Sequence, residues 1–251
     1  MTAVLEVKDV TVRFGGLTAV DGAKFHVDQG ELMGFIGPNG AGKTTLMRVI
    51  TGIVRPLQGT VRLEGRDLDG LSINRRIRSG LALAQQIVQP LRQMSLVDNV
   101  ALACGGTKTR HALGSMFKLD RQVERRRALE LLEMVGLGDV ADAMPSTLPL
   151  GYLKRLEVAR ALALDPRLLL LDEPLAGLNQ SEARGLADLI RDLNANGQTV
   201  LLIEHNLREV MRICPKLYVQ DNGRPLAFGP AAVVMARQSV REAYLGGKSD
   251  A

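Results

Sequence analysis

The chain has 251 residues, of which 46% are hydrophobic and 24% are charged, and its formal net charge is +5. This size and composition are typical of a globular protein that buries a sizeable core, as one domain or as a core with an inserted subdomain. No apolar run approaches the roughly 20 residues that cross a bilayer, and the first ten residues lack the regions of a signal peptide, so we expect a cytoplasmic protein.

The first predicted elements are strands. Residues 5–14, LEVKDVTVRF, alternate apolar and polar side chains as a half-buried strand does. The stretch 23–37, AKFHVDQGELMGFIG, predicts a hairpin that leads into a buried strand at residues 31–36. We therefore expect a small antiparallel sheet beside the segment that follows.

That segment, GPNGAGKTT at residues 37–45, has the GxxxxGK[ST] spacing of a phosphate-binding loop. Gly37, Gly40 and Gly42 allow tight turns, so that backbone N–H groups and a helix N-terminus point at phosphate oxygens. Lys43 offers a charge to the β- and γ-phosphates, and the Thr44 hydroxyl can ligate Mg²⁺. One apolar helix face follows the loop and comprises Leu46, Val49, Ile50 and Ile53.

Three side chains near this loop have open roles. Phe14 ends the first strand, where it could stack on adenine or belong to the core. Gln85 and Gln86 precede a long helical stretch, and one amide could ligate Mg²⁺ and report its presence to that stretch. An ordinary exposed loop is the alternative for both glutamines.

Residues 90–145 are predicted to be helical, with breaks at Gly105 to Thr107 and at Gly114-Ser115, which indicates an inserted helical subdomain. The basic run 125–127 lies in a helix with one apolar face, comprising Val123, Ala128, Leu131 and Val135. A solvated helix face is favoured over a nucleic-acid patch, because Trp is absent and aromatic residues make up 3%. Cys104 and Cys214 lack metal-type spacing and are expected to be core thiols.

Helices and strands alternate in the second half, which predicts a parallel sheet. The predicted elements are a helix at 153–164, the strand LLLLDE at 168–173, a helix at 181–193, the strand TVLLIE at 199–204 and a helix from 207. Two short strands around a turn, KLYVQDNGRPLAFG at 216–229, precede a helical tail at 231–245.

Polar side chains follow two of these strands. Asp172 and Glu173 end the LLLLDE strand, at the edge where open α/β sheets bind ligands. Asp172 would hold Mg²⁺ opposite Thr44, and Glu173 would polarise the water that attacks the γ-phosphate. His205 follows the next strand and could donate a hydrogen bond to that phosphate. The alternatives are an acidic helix cap and a structural histidine.

The order GPNGAGKTT, Gln86, LPLGYLKRLEVARAL, LLLLDEPLAGLN and IEHN resembles an ATP-binding-cassette ATPase, the motor subunit of ABC transporters. RFGGLTAVDG, DEPLAGLN and EAYLGG are most similar to the branched-chain (hydrophobic) amino-acid uptake ATPases. The resemblance implies an α/β, P-loop NTPase core with a mostly parallel sheet, an N-terminal antiparallel β subdomain and an inserted α-helical subdomain. It divides a single cassette domain, 1–251, into a core (1–86 and 155–230), a helical subdomain (87–154) and a tail (231–251).

The resemblance also implies roles for particular residues. Phe14 stacks on adenine, Glu173 acts as the base and His205 as a switch, with Lys43 assisting catalysis. Mg²⁺ is bound through Thr44, Gln86 and Asp172. The phosphates of ATP are bound by Gly37, Pro38, Asn39, Gly40, Ala41, Gly42, Lys43, Thr44 and Thr45. Gly151 would contact the nucleotide of a second cassette.

Partners follow from the same resemblance. Two cassettes meet head to tail, so we expect a second ATPase subunit, as a heterodimer with a homodimer as the alternative. Two integral membrane permease subunits would bind near Gln86 and residues 87–100, and an extracytoplasmic solute-binding protein would act indirectly. The expected location is peripheral, on the cytoplasmic face of the inner membrane. Nucleic acid is not an expected partner, since no coiled-coil or zinc insert is visible. A cassette ATPase that acts on nucleic acid is the alternative, which the net charge of +5 would suit.

The chain departs from the family at the signature segment. Where the family has LSGGQ, residues 148–152 are LPLGY, so that Pro149 replaces the serine and Tyr152 the glutamine, while Gly151 is retained. Losing one hydrogen bond to a phosphate costs about 1.5–3 kcal/mol. Asn179 stands where many cassettes have aspartate. These changes predict one weakened composite site, or alternatively a subunit that uses ATP as a clamp with weak hydrolysis.

Overall fold

The computed structural model describes residues 3–85, 88–106 and 121–245. The strands are β1 (Ala3–Phe14), β2 (Leu17–Asp28), β3 (Leu32–Ile36), β4 (Gln58–Leu63), β5 (Arg66–Asp67), β6 (Leu81–Ala84), β7 (Leu168–Asp172), β8 (Val200–Ile203), β9 (Lys216–Asp221) and β10 (Arg224–Pro230). The helices are α1 (Lys43–Thr51), α2 (Ile73–Arg78), α3 (Leu96–Gly106), α4 (Arg121–Met134), α5 (Leu150–Leu162), α6 (Gln180–Ala195), α7 (Leu207–Ile213), α8 (Ala231–Ala236) and α9 (Gln238–Leu245). Short 3₁₀ turns occupy Gly138–Val140 and Pro145–Thr147.

The central sheet has six strands in the order β10-β9-β3-β8-β7-β6. Strands β9, β3, β8, β7 and β6 run parallel, and β10 pairs antiparallel at one edge. The predicted α/β fold with a mostly parallel sheet is therefore confirmed. Since the strands are parallel, the carboxyl ends of β3, β7 and β8 lie together at one edge of the sheet.

The second sheet is antiparallel, in the order β2-β1-β4-β5, as expected for the N-terminal part. The predicted hairpin of β2 with β3 is wrong, however. Strand β2 pairs with β1, for example Phe25 opposite Val7, whereas β3 lies between β9 and β8. All five β3 residues are buried, so β3 requires cover on both faces, which the centre of a parallel sheet provides.

The two faces of the central sheet contribute to separate hydrophobic cores. Leu169 and Leu171 pack with the helices on one face, while Leu168 and Leu170 pack between the two sheets on the other. The core between the sheets contains a ring cluster of Phe25, Phe35 and Tyr218, with the centroids of Phe25 and Tyr218 separated by 4.5 Å. Strand β7 is thus buried on both faces, which explains its uninterrupted leucine run.

Three predicted helix details need correction. Helix α1 ends at Thr51 because Gly52 adopts a left-handed conformation with φ 86°, and Ile53 is therefore exposed beyond the helix. On α4, Val123 is exposed and Glu124 takes the buried position, in line with Ala128 and Leu131. The tail is two helices rather than one, since Arg237 between them has extended backbone angles.

The break predicted from Gly105 is wrong for Gly105 and Gly106, which are helical, and the predicted helix starts at Leu96 rather than at residue 90. Residues 125–127 are exposed on α4, and Arg125 forms ion pairs with Asp98 at 2.6 Å and Asp142 at 2.7 Å. Cys104 and Cys214 are buried. Among the helices formed by residues 3–85, 88–106 and 121–245, none is long and apolar enough to span a bilayer. The break predicted at Gly114-Ser115 lies outside the described residues.

Arg76 of α2 binds the C-terminal end of α1. Its buried guanidinium donates from Nη1 to the carbonyls of Val49 (2.7 Å) and Ile50 (2.8 Å). We expect Arg76→Met to lower the free energy of unfolding by about 2–3 kcal/mol, because two helix-end carbonyls lose a charged donor. Arg75→Met, at the exposed neighbouring position, should change it by less than about 0.5 kcal/mol. Urea unfolding measures both, and equal midpoints would contradict this account.

Candidate nucleotide-binding site

A cleft of about 620 Å³ opens at the carboxyl edge of the central sheet, next to the antiparallel sheet. Its walls come from the turn between β1 and β2, the loop between β3 and α1, the end of β7 and the turn between β9 and β10. The lining residues are Phe14, Leu17, Thr18, Ala19, Asn39, Gly40, Ala41, Gly42, Lys43, Thr44, Thr45, Glu173, Asn222 and Gly223. The fold thus brings together most of the residues expected to contact a nucleotide.

Lys43 begins helix α1 and reaches back over the loop that precedes it. Its buried ammonium donates to the carbonyl oxygens of Gly37 (2.7 Å) and Pro38 (2.9 Å). Burial lowers the pKa of Lys43, and the nearby carboxylates of Glu173 and Asp172 oppose that effect. The lysine charge is therefore held inside the loop, facing the carboxylates at the end of β7.

The loop is supported from behind by Gln220 of β9, which is fully buried and which the sequence analysis missed. Its Nε2 donates to the Ala41 carbonyl at 2.7 Å, and the Gly223 N–H donates to the same oxygen at 3.1 Å. The sequence feature that could have identified Gln220 is its amide side chain directly after the apolar run Leu217 to Val219. A polar side chain in a buried strand needs a hydrogen-bond partner, and here the loop provides one.

Gly42 is the N-cap of α1 and has φ 94°. A Cβ at this position would lie 2.3 Å from the Ala19 carbonyl oxygen, whereas one at Gly40, with φ 78°, would meet open space. Both substitutions strain the backbone, but only Gly42→Ala also forces the loop to move. We expect Gly42→Ala to weaken ATP binding at least about tenfold and Gly40→Ala to weaken it less than about threefold. Calorimetric titration with ATP measures both, and equal affinities would refute the steric argument.

Asp172 and Glu173 follow one another at the end of β7. Burial raises the pKa of the Asp172 carboxyl, as does the charge of Glu173, while Lys43 and Arg48 lower it. Glu173 has left-handed backbone angles, with φ 48°, and its N–H donates to the Ile203 carbonyl at 2.9 Å. Such strained backbone at a non-glycine residue is common where a side chain must be aimed at a ligand.

His205 follows β8, the strand next to β7, and its side chain is exposed. Its Nδ1 lies 3.7 Å from the Glu173 carboxylate. The next residue, Asn206, caps α7 by accepting a hydrogen bond from the Glu209 N–H at 3.3 Å. The parallel pairing of β7 with β8 therefore brings the two proposed catalytic side chains together.

The structure also shows the positions of three further predicted site residues, Phe14, Gln85 and Gly151. Phe14 is half-exposed at the edge of the cleft, so a core position for it is wrong. Gln85 is exposed, and Gln86 lies outside the described residues. Gly151 is in the first turn of α5 and does not line the cleft, so its predicted contact with a second cassette stays a prediction.

The donor atoms at this edge suit a small hard cation. The Asp172 carboxylate and the Thr44 hydroxyl both offer oxygen, which Mg²⁺ prefers, and Mg²⁺ usually completes its coordination with phosphates and water. The adjacent Glu173 raises the pKa of Asp172, so a divalent cation near both would relieve their repulsion. These residues therefore fit the predicted metal.

Comparisons with known proteins agree with this geometry. A family model described as ABC transporter matches residues 20–176. BraF, a high-affinity branched-chain amino acid transport ATP-binding protein of Pseudomonas aeruginosa, is 39% identical over 97% of this chain and 98% of its own. LivG of Escherichia coli, which has the same description, is 36% identical with the same coverage. A crystal structure of the ADP conformation of an ATP-binding cassette of an ABC transporter is 30% identical, with a TM-score of 0.85, over 98% of this chain and 100% of that one.

The match to BraF covers nearly the whole chain, and the family model spans the phosphate loop and the acidic pair at the end of β7. The sheet order and the nucleotide cleft described above lead to the same assignment. The chain therefore belongs to the ABC transporter family, as one of its ATP-hydrolysing ATP-binding subunits.

Proposed function

We propose that this chain is the motor subunit of an ABC importer for branched-chain or other hydrophobic amino acids. The observation that carries the proposal is the full-length similarity to BraF and LivG, whose descriptions name that transport. A motor must bind ATP and then hydrolyse it at the same site. The cleft beside Lys43, Asp172 and Glu173 can support both steps.

In this proposal the loop amides and Lys43 bind the β- and γ-phosphates, and Phe14 stacks on adenine. Glu173 accepts the proton of the attacking water, and His205, beside it, donates a hydrogen bond to the γ-phosphate. Asp172 and Thr44 would hold Mg²⁺, with Gln86 as a further ligand. When bound at these residues, the cation would supply positive charge to the phosphates.

The signature segment supports an unequal pair of composite sites. Helix α5 has Pro149 at its N-cap, and no side chain caps its first turn. Leu150 and Tyr152 are exposed there, so this turn offers a partner's ATP a helix N-terminus without the serine hydroxyl. We propose that this subunit hydrolyses ATP in its own cleft and completes a weaker site in the second ATPase subunit, which favours a heterodimer.

The proposal places the chain on the cytoplasmic face of the membrane, bound to two permease subunits. A soluble binding protein on the other side would deliver the amino acid to the permeases. The exposed Leu91, in the segment 88–100, is a candidate contact for a permease. Leu96 of the same segment is fully buried and serves the core instead.

Affinity capture of the tagged chain from detergent-solubilised membranes tests the proposal. We expect two permease proteins and a second ATPase subunit to be captured together. In proteoliposomes with the cognate binding protein, leucine, isoleucine or valine should stimulate ATP hydrolysis, while lysine and glutamate should not. Capture without a membrane protein would refute the motor role, and stimulation only by other solutes would refute the proposed cargo.

A further inference from the structure

Glu204 directly follows β8 and is fully buried, whereas the next residue, His205, is exposed. Its two carboxylate oxygens accept hydrogen bonds from different turns. Oε1 accepts from the Leu175 N–H at 2.7 Å, and Oε2 accepts from the N–H groups of His205 at 3.1 Å and Asn206 at 3.4 Å. One side chain therefore joins the turn that follows Glu173 to the turn that carries His205.

A third element reaches the same place. Lys154 of α5 is buried, and its Nζ donates to the Glu173 carbonyl at 3.5 Å. Burial lowers the pKa of Lys154, and the negative charges of Glu204, Glu173 and Asp172 oppose it. Helix α5 also carries the signature segment, and the Lys154 hydrogen bond joins that helix to the turn of Glu173.

Burying a carboxylate is unfavourable unless hydrogen bonds and opposite charge compensate it. Burial accordingly raises the pKa of Glu204, whereas the three backbone donors lower it. An apolar side chain could occupy this position without that cost. Glu204 accepts hydrogen bonds from two turns, which an apolar side chain could not do. The side chains that these turns position, Glu173 and His205, must meet at the γ-phosphate.

We propose that Glu204 is a positioning residue, which fixes the turns of Glu173 and His205 relative to each other and ties them to α5 through Lys154. The inference rests on the catalytic roles proposed above for Glu173 and His205. The contact of 3.7 Å between their side chains depends on this placement, because His205 is exposed and has little packing of its own. A displacement of about 1 Å at a reacting centre can cost about 100-fold in rate.

Glu204→Gln tests the proposal in the captured transporter complex. The variant replaces one acceptor oxygen by an NH₂ group, so either the Leu175 N–H or the His205 and Asn206 N–H groups must face a donor. We expect kcat for ATP hydrolysis to fall about 10- to 100-fold, with the KM for ATP within about twofold, because Glu204 forms none of its hydrogen bonds with the phosphate loop.

Glu209→Gln is the matched control, since Glu209 is also a buried carboxylate but its Oε2 accepts from the Arg212 side chain. Its kcat should stay within about twofold of wild type.

Glu204→Asp keeps the charge but is one methylene shorter, and we expect an intermediate kcat. In a His205→Ala background, Glu204→Gln should lower kcat by less than about threefold, because the geometry it protects has already been lost.

Wild-type kcat in Glu204→Gln would overturn the proposal. Loss of ATP binding in both Glu204→Gln and Glu204→Asp would also overturn it, since the residue would then serve folding alone. Glu173→Gln separates this failure from that of the proposed function. If Glu173→Gln abolishes turnover while Glu204→Gln does not, only the present inference fails, and if Glu173→Gln retains turnover, both fail.

Discussion

Glu173→Gln in this subunit alone is expected to lower the ATP turnover of the assembled complex about 100- to 1,000-fold, which is typical of losing a general base. Glutamine preserves the shape of the side chain but cannot accept the proton of the attacking water. ATP binding should persist, because Lys43 and the loop amides are unchanged. Phosphate release under multiple-turnover conditions measures the rate, and calorimetry with Mg²⁺ and ATP measures the binding.

Glu64→Gln is the matched control for this experiment. Glu64 has the same left-handed backbone as Glu173, with φ 48°, but lies in the exposed turn between β4 and β5. The control therefore repeats the substitution and its backbone strain outside the site, and its turnover should equal that of wild type. Unchanged transport-coupled hydrolysis in Glu173→Gln would refute the proposal that this subunit's own cleft is the main hydrolytic site.

Lys43→Ala is expected to raise the Kd for ATP about 10- to 150-fold, the equivalent of one hydrogen bond to a charged group at about 1.5–3 kcal/mol. The ammonium now contacts the Gly37 and Pro38 carbonyls, so its removal also loosens the loop that supplies the other donors. Both effects act in the same direction. Calorimetric titration of the isolated chain with ATP and Mg²⁺ measures the change.

Lys8→Ala serves as the comparison for that measurement. Lys8 lies on the antiparallel sheet, where its exposed ammonium pairs with Glu6 at 2.6 Å. This variant removes the same net charge without touching the loop, so its Kd should match that of wild type. A Kd for Lys43→Ala within threefold of wild type, which corresponds to about 0.7 kcal/mol, would mean that the loop binds phosphate without its lysine.

Local patterns in the sequence were enough to predict much of the site. The spacing from Gly37 to Thr44 identifies a phosphate loop because a tight turn and a helix N-terminus are both local structures. The leucine run of β7 identifies a strand buried on both faces, and Asp172 and Glu173 must follow at its carboxyl end. The alternation of helices and strands along the second half of the chain was likewise predicted from hydrophobic periodicity.

Other features depend on which segments meet. The predicted β2–β3 hairpin was wrong because two strands with a short connection can still join different sheets. The packing between the two sheets, for example of Phe25 against Tyr218, decides which sheet each strand joins. Val123 and Glu124 differ by one position on α4, and the direction of the neighbouring helices determines which of them is buried.

The sequence by itself determined the chemistry of this protein, because glycines, a lysine and two carboxylates at set spacings act through local backbone geometry. Only the tertiary structure decided what supports that chemistry. Gln220 reaches Ala41 from a strand far along the chain, and Glu204 joins Leu175 to His205 across two neighbouring strands. Gln220 and Ala41, like Glu204 and Leu175, are distant in sequence, and hydrogen bonds between such residues leave no periodic pattern that a single chain could reveal.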